Sequence, residues 1–126
     1  MKCFKMFHFD KLCYDNKRHS YYANARQLYD KLPYPNVTNA MIKYYIHANS
    51  FIDTKTGNHK GDLDTLEHHA QRIASLIHLI RKSTKPHPVE IYYDSQTKEC
   101  EIEYGWHRMR ASHYLNENID FHLFTD

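Results

Sequence analysis

The sequence predicts an α+β fold for this chain of 126 residues, and three observations carry the prediction. Leu63, Leu66, Ala70, Ile73, Ile77 and Ile80 recur at steps of three and four, which draws one apolar stripe along a helix. Residues 89–94 (Val-Glu-Ile-Tyr-Tyr-Asp) and 98–104 (Lys-Glu-Cys-Glu-Ile-Glu-Tyr) read as a strand pair around the turn Asp94-Ser95-Gln96-Thr97. A glycine at 105, a second helix from about Trp106 to Leu115 and a closing strand from Ile119 to Phe124 follow directly.

The remaining elements come in order from the N-terminus. Residues 4–9 alternate loosely between aromatic and polar and predict a short strand, and the polar stretch from Asp10 to Ser20 predicts a loop. Ala25, Leu28, Tyr29 and Leu32 have helical spacing, so a modest helix is expected from Ala23 to Leu32, stopped by Pro33-Tyr34-Pro35-Asn36. Asn36 or Thr38 can cap a second helix through Met41, Ile42, Tyr45 and Ile46. Asn49 to Gly61 carries the turn residues Asp53, Gly57, Asn58 and Gly61 and predicts a mobile surface loop or short hairpin. The long helix runs over 64–82, with Asp64-Thr65-Leu66-Glu67 as a capping box and Arg81 and Lys82 at the negative end of its dipole. Pro86 and Pro88 end it, and Asn116 to Asn118 end the later helix.

Length predicts one domain, 1–126. No run approaches the roughly 18–20 apolar residues of a membrane span, and residues 1–10 have no apolar stretch of secretory length. Cys3, Cys13 and Cys100 are odd in number with no CxxC spacing, which excludes a disulfide framework or cysteine-rich zinc site and suits a reducing cytoplasm. Residues 1–60 hold ten Lys/Arg against four Asp/Glu, while residues 61–126 hold seven against eleven. The basic half is also rich in tyrosine, so Lys17, Arg18, Tyr21, Tyr22, Arg26, Lys43 and Tyr44 are candidate contacts for a nucleic acid or a protein partner. The competing reading is a lysine- and tyrosine-rich composition on a solvated face.

The strongest chemistry lies in Glu101-Ile102-Glu103-Tyr104-Gly105-Trp106-His107-Arg108-Met109-Arg110. A strand, a glycine turn and a helix start bring unpaired backbone N–H groups together with His107, Arg108 and Arg110, a combination suited to phosphate. Arg108, Ala111 and Leu115 share a helix face, so Arg108 is expected to turn partly inward and to need an anion, either phosphate or a strand carboxylate such as Glu101 or Glu103. His107, Arg110 and Tyr114 are expected on an adjacent face open to solvent or ligand.

This order of strand, Gly-x-His-Arg-x-x-Ala, short helix, polar break and strand resembles the ParB/sulfiredoxin superfamily. The preceding amphipathic helix and Pro88-Val89-Glu90-Ile91 fit the same pattern. The resemblance implies residues 62–126 as a ParB/sulfiredoxin-like core with a small mixed sheet, and residues 1–61 as an N-terminal strand and helical extension. It implies that Gly105, His107 and Arg108 bind the phosphate of a nucleoside triphosphate (CTP or ATP) with Mg²⁺, and no other cofactor. The chain departs from sulfiredoxins in having Trp106 where they carry a reactive cysteine, so their reductase chemistry is not expected. It also has Tyr104 where many members carry aspartate.

Other constellations weigh less. The 11 histidines include His59, His68, His69 and His78, but without a metal-binding motif they read as scattered surface residues, and no metal site is expected. Cys100 lies between glutamates, which disfavour a thiolate. Glu99, Glu101 and Glu103 alternate along one strand and read as a solvated face.

Two functions follow. The first is a ParB-like nucleotide- or phosphate-binding protein acting with nucleic acid. As a nucleotidase or nuclease of the phosphoryl-transfer type it would use Glu103, His107 and Arg108 as catalytic residues and Gly105, His107, Arg108 and Arg110 as the phosphate cradle. The second is a non-enzymatic phage or mobile-element protein that inhibits a host nucleic-acid enzyme, as anti-CRISPR-type proteins do, with exposed tyrosines as anchors. Either way the expected partner is a nucleic acid or a nucleic-acid-processing protein, not a membrane. The oligomeric state is left open, a dimer included.

Overall fold

The computed structural model describes residues 3–4, 19–49, 65–83, 87–94, 96–97 and 99–125. The predicted strand over 4–9 therefore lies outside the described residues except for Phe4, and so do most of the 10–20 loop and nearly all of the 49–61 loop.

A mixed five-stranded sheet organises the first unit, formed by residues 1–33 and 87–126. Its strands are β1 (Cys3–Phe4), β2 (His19–Asn24), β3 (Val89–Asp94), β4 (Glu99–Tyr104) and β5 (Asn118–Thr125), in the order β1-β4-β3-β5-β2. β3 and β5 are parallel; the other neighbours are antiparallel. The β3–β4 hairpin is closed as the sequence predicts, the Asp94 carboxylate accepting from the Gln96 and Thr97 amides at 2.9 and 3.4 Å. Val89, Ile91 and Tyr93 of β3 alternate inward against Ile119, Phe121 and Leu123 of β5, and complete burial of Ile91, Phe121 and Leu123 is worth about 1.5–3 kcal/mol each.

Two helices belong to this unit, α1 (Ala25–Leu28) and α4 (Trp106–Leu115). Ala25 and Leu28 from α1 and Met109 from α4 complete the core cluster. The N-terminal segment departs from the sequence reading. The helix expected over Ala23–Leu32 shrinks to one turn, and β2 takes up residues read as loop and helix start. Asn24 is extended and its side chain accepts from the Arg26 and Gln27 amides, while Tyr29 returns to extended geometry. Six paired positions along β5 hold residues 19–24 in the sheet, which local spacing does not encode.

The second unit spans residues 34–86 and is helical in its described part. α2 (Asn39–His47) starts where Thr38 accepts from the Met41 amide at 3.2 Å. α3 (Leu66–Arg81) starts at Thr65, which accepts from the His68 amide at 3.1 Å. Thr65 is thus the N-cap, while Asp64, the first residue of the capping box read from the sequence, lies outside the described residues; Leu66, assigned to the apolar stripe, is exposed in the first turn. Ala70, Ile73 and Ile77 of that stripe are buried, and α2 packs on α3. Among the described residues no helix is long and apolar enough to cross a membrane.

Candidate functional site

The Gly105 turn is built by two constraints that only glycine satisfies. Its φ is +104°, and a Cβ placed there would meet Val89 Cγ2 at 2.8 Å and Val89 Cα at 3.1 Å. The Gly105 carbonyl accepts from the Met109 amide at 2.9 Å, opening α4, and no side chain caps that helix start.

Arg108, in the first turn of α4, reaches back to the chain entering β3. Its Nη1 donates to the His87 carbonyl at 2.8 Å and the Pro88 carbonyl at 2.6 Å. Burial pulls the guanidinium below its ordinary value, opposed by the charge of Glu90. Among the described residues Nε and Nη2 make no hydrogen bond. The side chain borders a cleft of about 300 Å³ shared with His87, Pro88, Glu90, Tyr104 and His122.

Register explains why those groups meet. Glu90 pairs with Tyr104 on β4 and with His122 on β5, so the three stand in a row across the sheet. Ile91 pairs with Ile102 while Glu90 pairs with Tyr104, which leaves Glu103 as the extra residue of a bulge. The bulge brings Tyr104 onto the Glu90 face and leaves Glu103 exposed.

A second cleft of about 380 Å³ adjoins the first, sharing Pro88 and His122 and continuing over Tyr21, Tyr22, Asp120 and Phe121. Tyr22 and Asp120 are cross-strand partners of β2 and β5. The Tyr22 ring is 66% exposed. Among the described residues neither the Tyr22 nor the Asp120 side chain has a hydrogen-bond or ionic partner.

The structure thus gathers some of the sequence-predicted site residues and separates others. Arg108 lines the first cleft, and Gly105 follows directly on Tyr104, which lines it too. His107 is buried, and Arg110, expected on an open face, is 0% exposed. The open-face expectation fails because Arg110, Ser112 and His113 all occupy buried positions, so α4 has no narrow apolar stripe from which to read its orientation. Burial lowers the Arg110 guanidinium from its ordinary value, opposed by Tyr114 and reinforced by Arg26. The carboxylate beside Arg108 is Glu90, not Glu101 or Glu103. Sequence reasoning missed Glu90, Asp120 and His122; the alternation Val89-Glu90-Ile91 and Phe121-His122-Leu123 puts them on the outer face, but only the β3–β5 pairing brings them together.

Of the proposed nucleic-acid contacts, Lys17 and Arg18 lie outside the described residues. Tyr21 packs on Phe121 with ring centroids 5.6 Å apart. Arg26 Nε donates to the His113 carbonyl at 2.7 Å. Lys43 and Tyr44 are exposed on α2 of the second unit. Among the described residues no three His, Cys, Asp or Glu side chains are gathered as a metal ion would need. No protein-family model, curated protein or solved structure matches this chain.

Proposed function

We propose that this chain binds a phosphate-bearing ligand at the Gly105 corner, as a ParB/sulfiredoxin-like nucleotide-binding protein acting with nucleic acid. The observation that carries the reading is the tethered arginine. Two carbonyls hold Arg108 Nη1, so the guanidinium is oriented before any ligand arrives, with Nε and Nη2 left to donate. The uncapped start of α4 adds backbone donors next to it. Mg²⁺ would enter on the ligand's own phosphates, consistent with the absence of a three-residue ligand cluster among the described residues. A nucleotide ligand makes the cytoplasm the compartment this reading requires. Any phosphoryl-transfer chemistry would rest on charge neutralisation by Arg108, with Glu90 replacing Glu103 as the nearby carboxylate.

Calorimetric titration of ATP, CTP, pyrophosphate and a short DNA, with and without Mg²⁺, tests this on wild type and Arg108→Ala. The expected result is binding by the wild type and about a tenfold or greater loss in the variant, the scale of a hydrogen bond to a charged group. A folded wild type that binds none of the four sinks the reading. Unchanged binding with a lowered melting temperature would make Arg108 a clamp on the 87–88 segment instead.

A second reading, the non-enzymatic inhibitor of a host nucleic-acid enzyme, draws on the exposed tyrosines. Tyr44 is 66% exposed on α2, with Tyr45 edge-on at 5.2 Å. It is favoured if nucleotides fail to bind and Tyr44→Ala abolishes capture of a defined nuclease.

A further inference from the structure

We infer that the cleft beside the Arg108 pocket is a base subsite that selects nucleobases bearing an exocyclic amine, with Asp120 as the acceptor and Tyr22 as the stacking platform. The inference rests on the nucleotide reading above and assigns the part of the ligand that the Arg108 pocket does not hold.

The two clefts, of about 300 and 380 Å³, share Pro88 and His122 in their walls. One end has a guanidinium tethered through Nη1, suited to phosphate. The other end is different in chemistry. It offers Tyr22, 66% exposed, a carboxylate, and no arginine or lysine among its described lining residues. A polyanion continuing from the Arg108 pocket into the second cleft would meet the uncompensated Asp120 carboxylate, which repels it. A single nucleotide avoids this by putting charge at one end and a flat, hydrogen-bonding ring at the other.

The two carboxylates have different situations. Glu90 faces Arg108 and is charge-compensated by it. Asp120 has no hydrogen-bond or ionic partner among the described residues, yet it is only half-exposed and stands directly across from Tyr22. A carboxylate facing the major-groove edge of a base accepts from an exocyclic N–H₂ and repels a carbonyl oxygen there, so with that edge turned to Asp120 the site favours adenine or cytosine over hypoxanthine or uracil. Cross-strand partners on one sheet face stand about 5 Å apart at Cβ, close enough for a base stacked on Tyr22 to turn its edge to Asp120.

The test compares AMP with IMP and CMP with UMP, pairs that differ in an amine against a carbonyl, on wild type, Asp120→Asn and Tyr22→Ala, with pyrophosphate as a probe of the phosphate end alone. Wild type should prefer the amine-bearing member by about tenfold, the discrimination of one good base contact. Asp120→Asn should erase or reverse that preference, because an amide can also donate to a carbonyl, and should leave pyrophosphate binding unchanged. Tyr22→Ala should weaken all four nucleotides together and spare pyrophosphate. Equal affinities within each pair in the wild type, or a preference that survives Asp120→Asn, overturn the base subsite while pyrophosphate binding still supports the Arg108 pocket. Loss of pyrophosphate binding itself in the wild type removes the reading beneath it, and the base subsite with it.

Discussion

Replacing Gly105 by alanine tests how the corner is built, and its cost follows from two separate terms. A residue with a Cβ at φ +104° is strained by about 1–2 kcal/mol, as for left-handed conformations in general. The new Cβ would also lie 2.8 Å from Val89 Cγ2, well inside the ordinary carbon contact of about 3.5–4 Å. Val89 is fully buried and β-branched, so it has few rotamers into which it can retreat. Overpacking of this kind costs about 1–3 kcal/mol. Gly105→Ala should therefore destabilise the first unit by about 2–5 kcal/mol, a large share of the roughly 5–15 kcal/mol that holds a domain together. Urea denaturation followed by circular dichroism measures it, and a cycle with Val89→Ala separates the terms. In the Val89→Ala background the clash with Cγ2 is gone, so Gly105→Ala should cost about 1–3 kcal/mol less than in the wild type. A total cost under about 0.5 kcal/mol, or an identical cost in both backgrounds, would refute the close-approach explanation.

Further outcomes follow from the same structure. His113 is buried on α4 with Nε2 unpartnered among the described residues, and burial holds its pKa below the ordinary value, reinforced by Arg110 and Arg26 and opposed by hydrogen bonds to the Tyr29 and Ala25 backbone. The unfolded chain therefore takes up the proton first: the His113 contribution is constant above about pH 6.5 and stability is lost as pH falls below it, at up to about 1.4 kcal/mol per pH unit. Urea midpoints at pH 7.5 and 5.5 should differ less in His113→Gln than in the wild type, and an unchanged difference would refute the assignment. Thr65→Ala removes the cap of α3 and should cost about 1 kcal/mol, read as a lower melting temperature; an unchanged melting temperature would refute the capping role.

The ends of the site differ in how far the sequence reached them. Gly105 and Arg108 were visible because a strand, a glycine and a helix start in succession carry their own local signature. Glu90 and Asp120 were not, although each sits in a plain alternating strand. Their meeting with Arg108 and Tyr22 depends on β3 lying parallel to β5 and on β2 pairing along β5. Glu103, the carboxylate named from the sequence as the catalytic candidate, is instead the exposed extra residue of a bulge, and Glu90 stands across from Tyr104.

Local chemistry thus determined α2, α3, the β3–β4 hairpin, α4 and β5. Thr38, Thr65 and Asp94 bond to amides two or three residues away, and periodicity marks the rest. Only the tertiary structure decided that residues 19–24 form a strand, that Arg110 is buried and that His122 lines both clefts. Those outcomes turn on which strand lies beside which, and that choice is made by burial and backbone pairing between segments about a hundred residues apart, such as Tyr21 and Phe121.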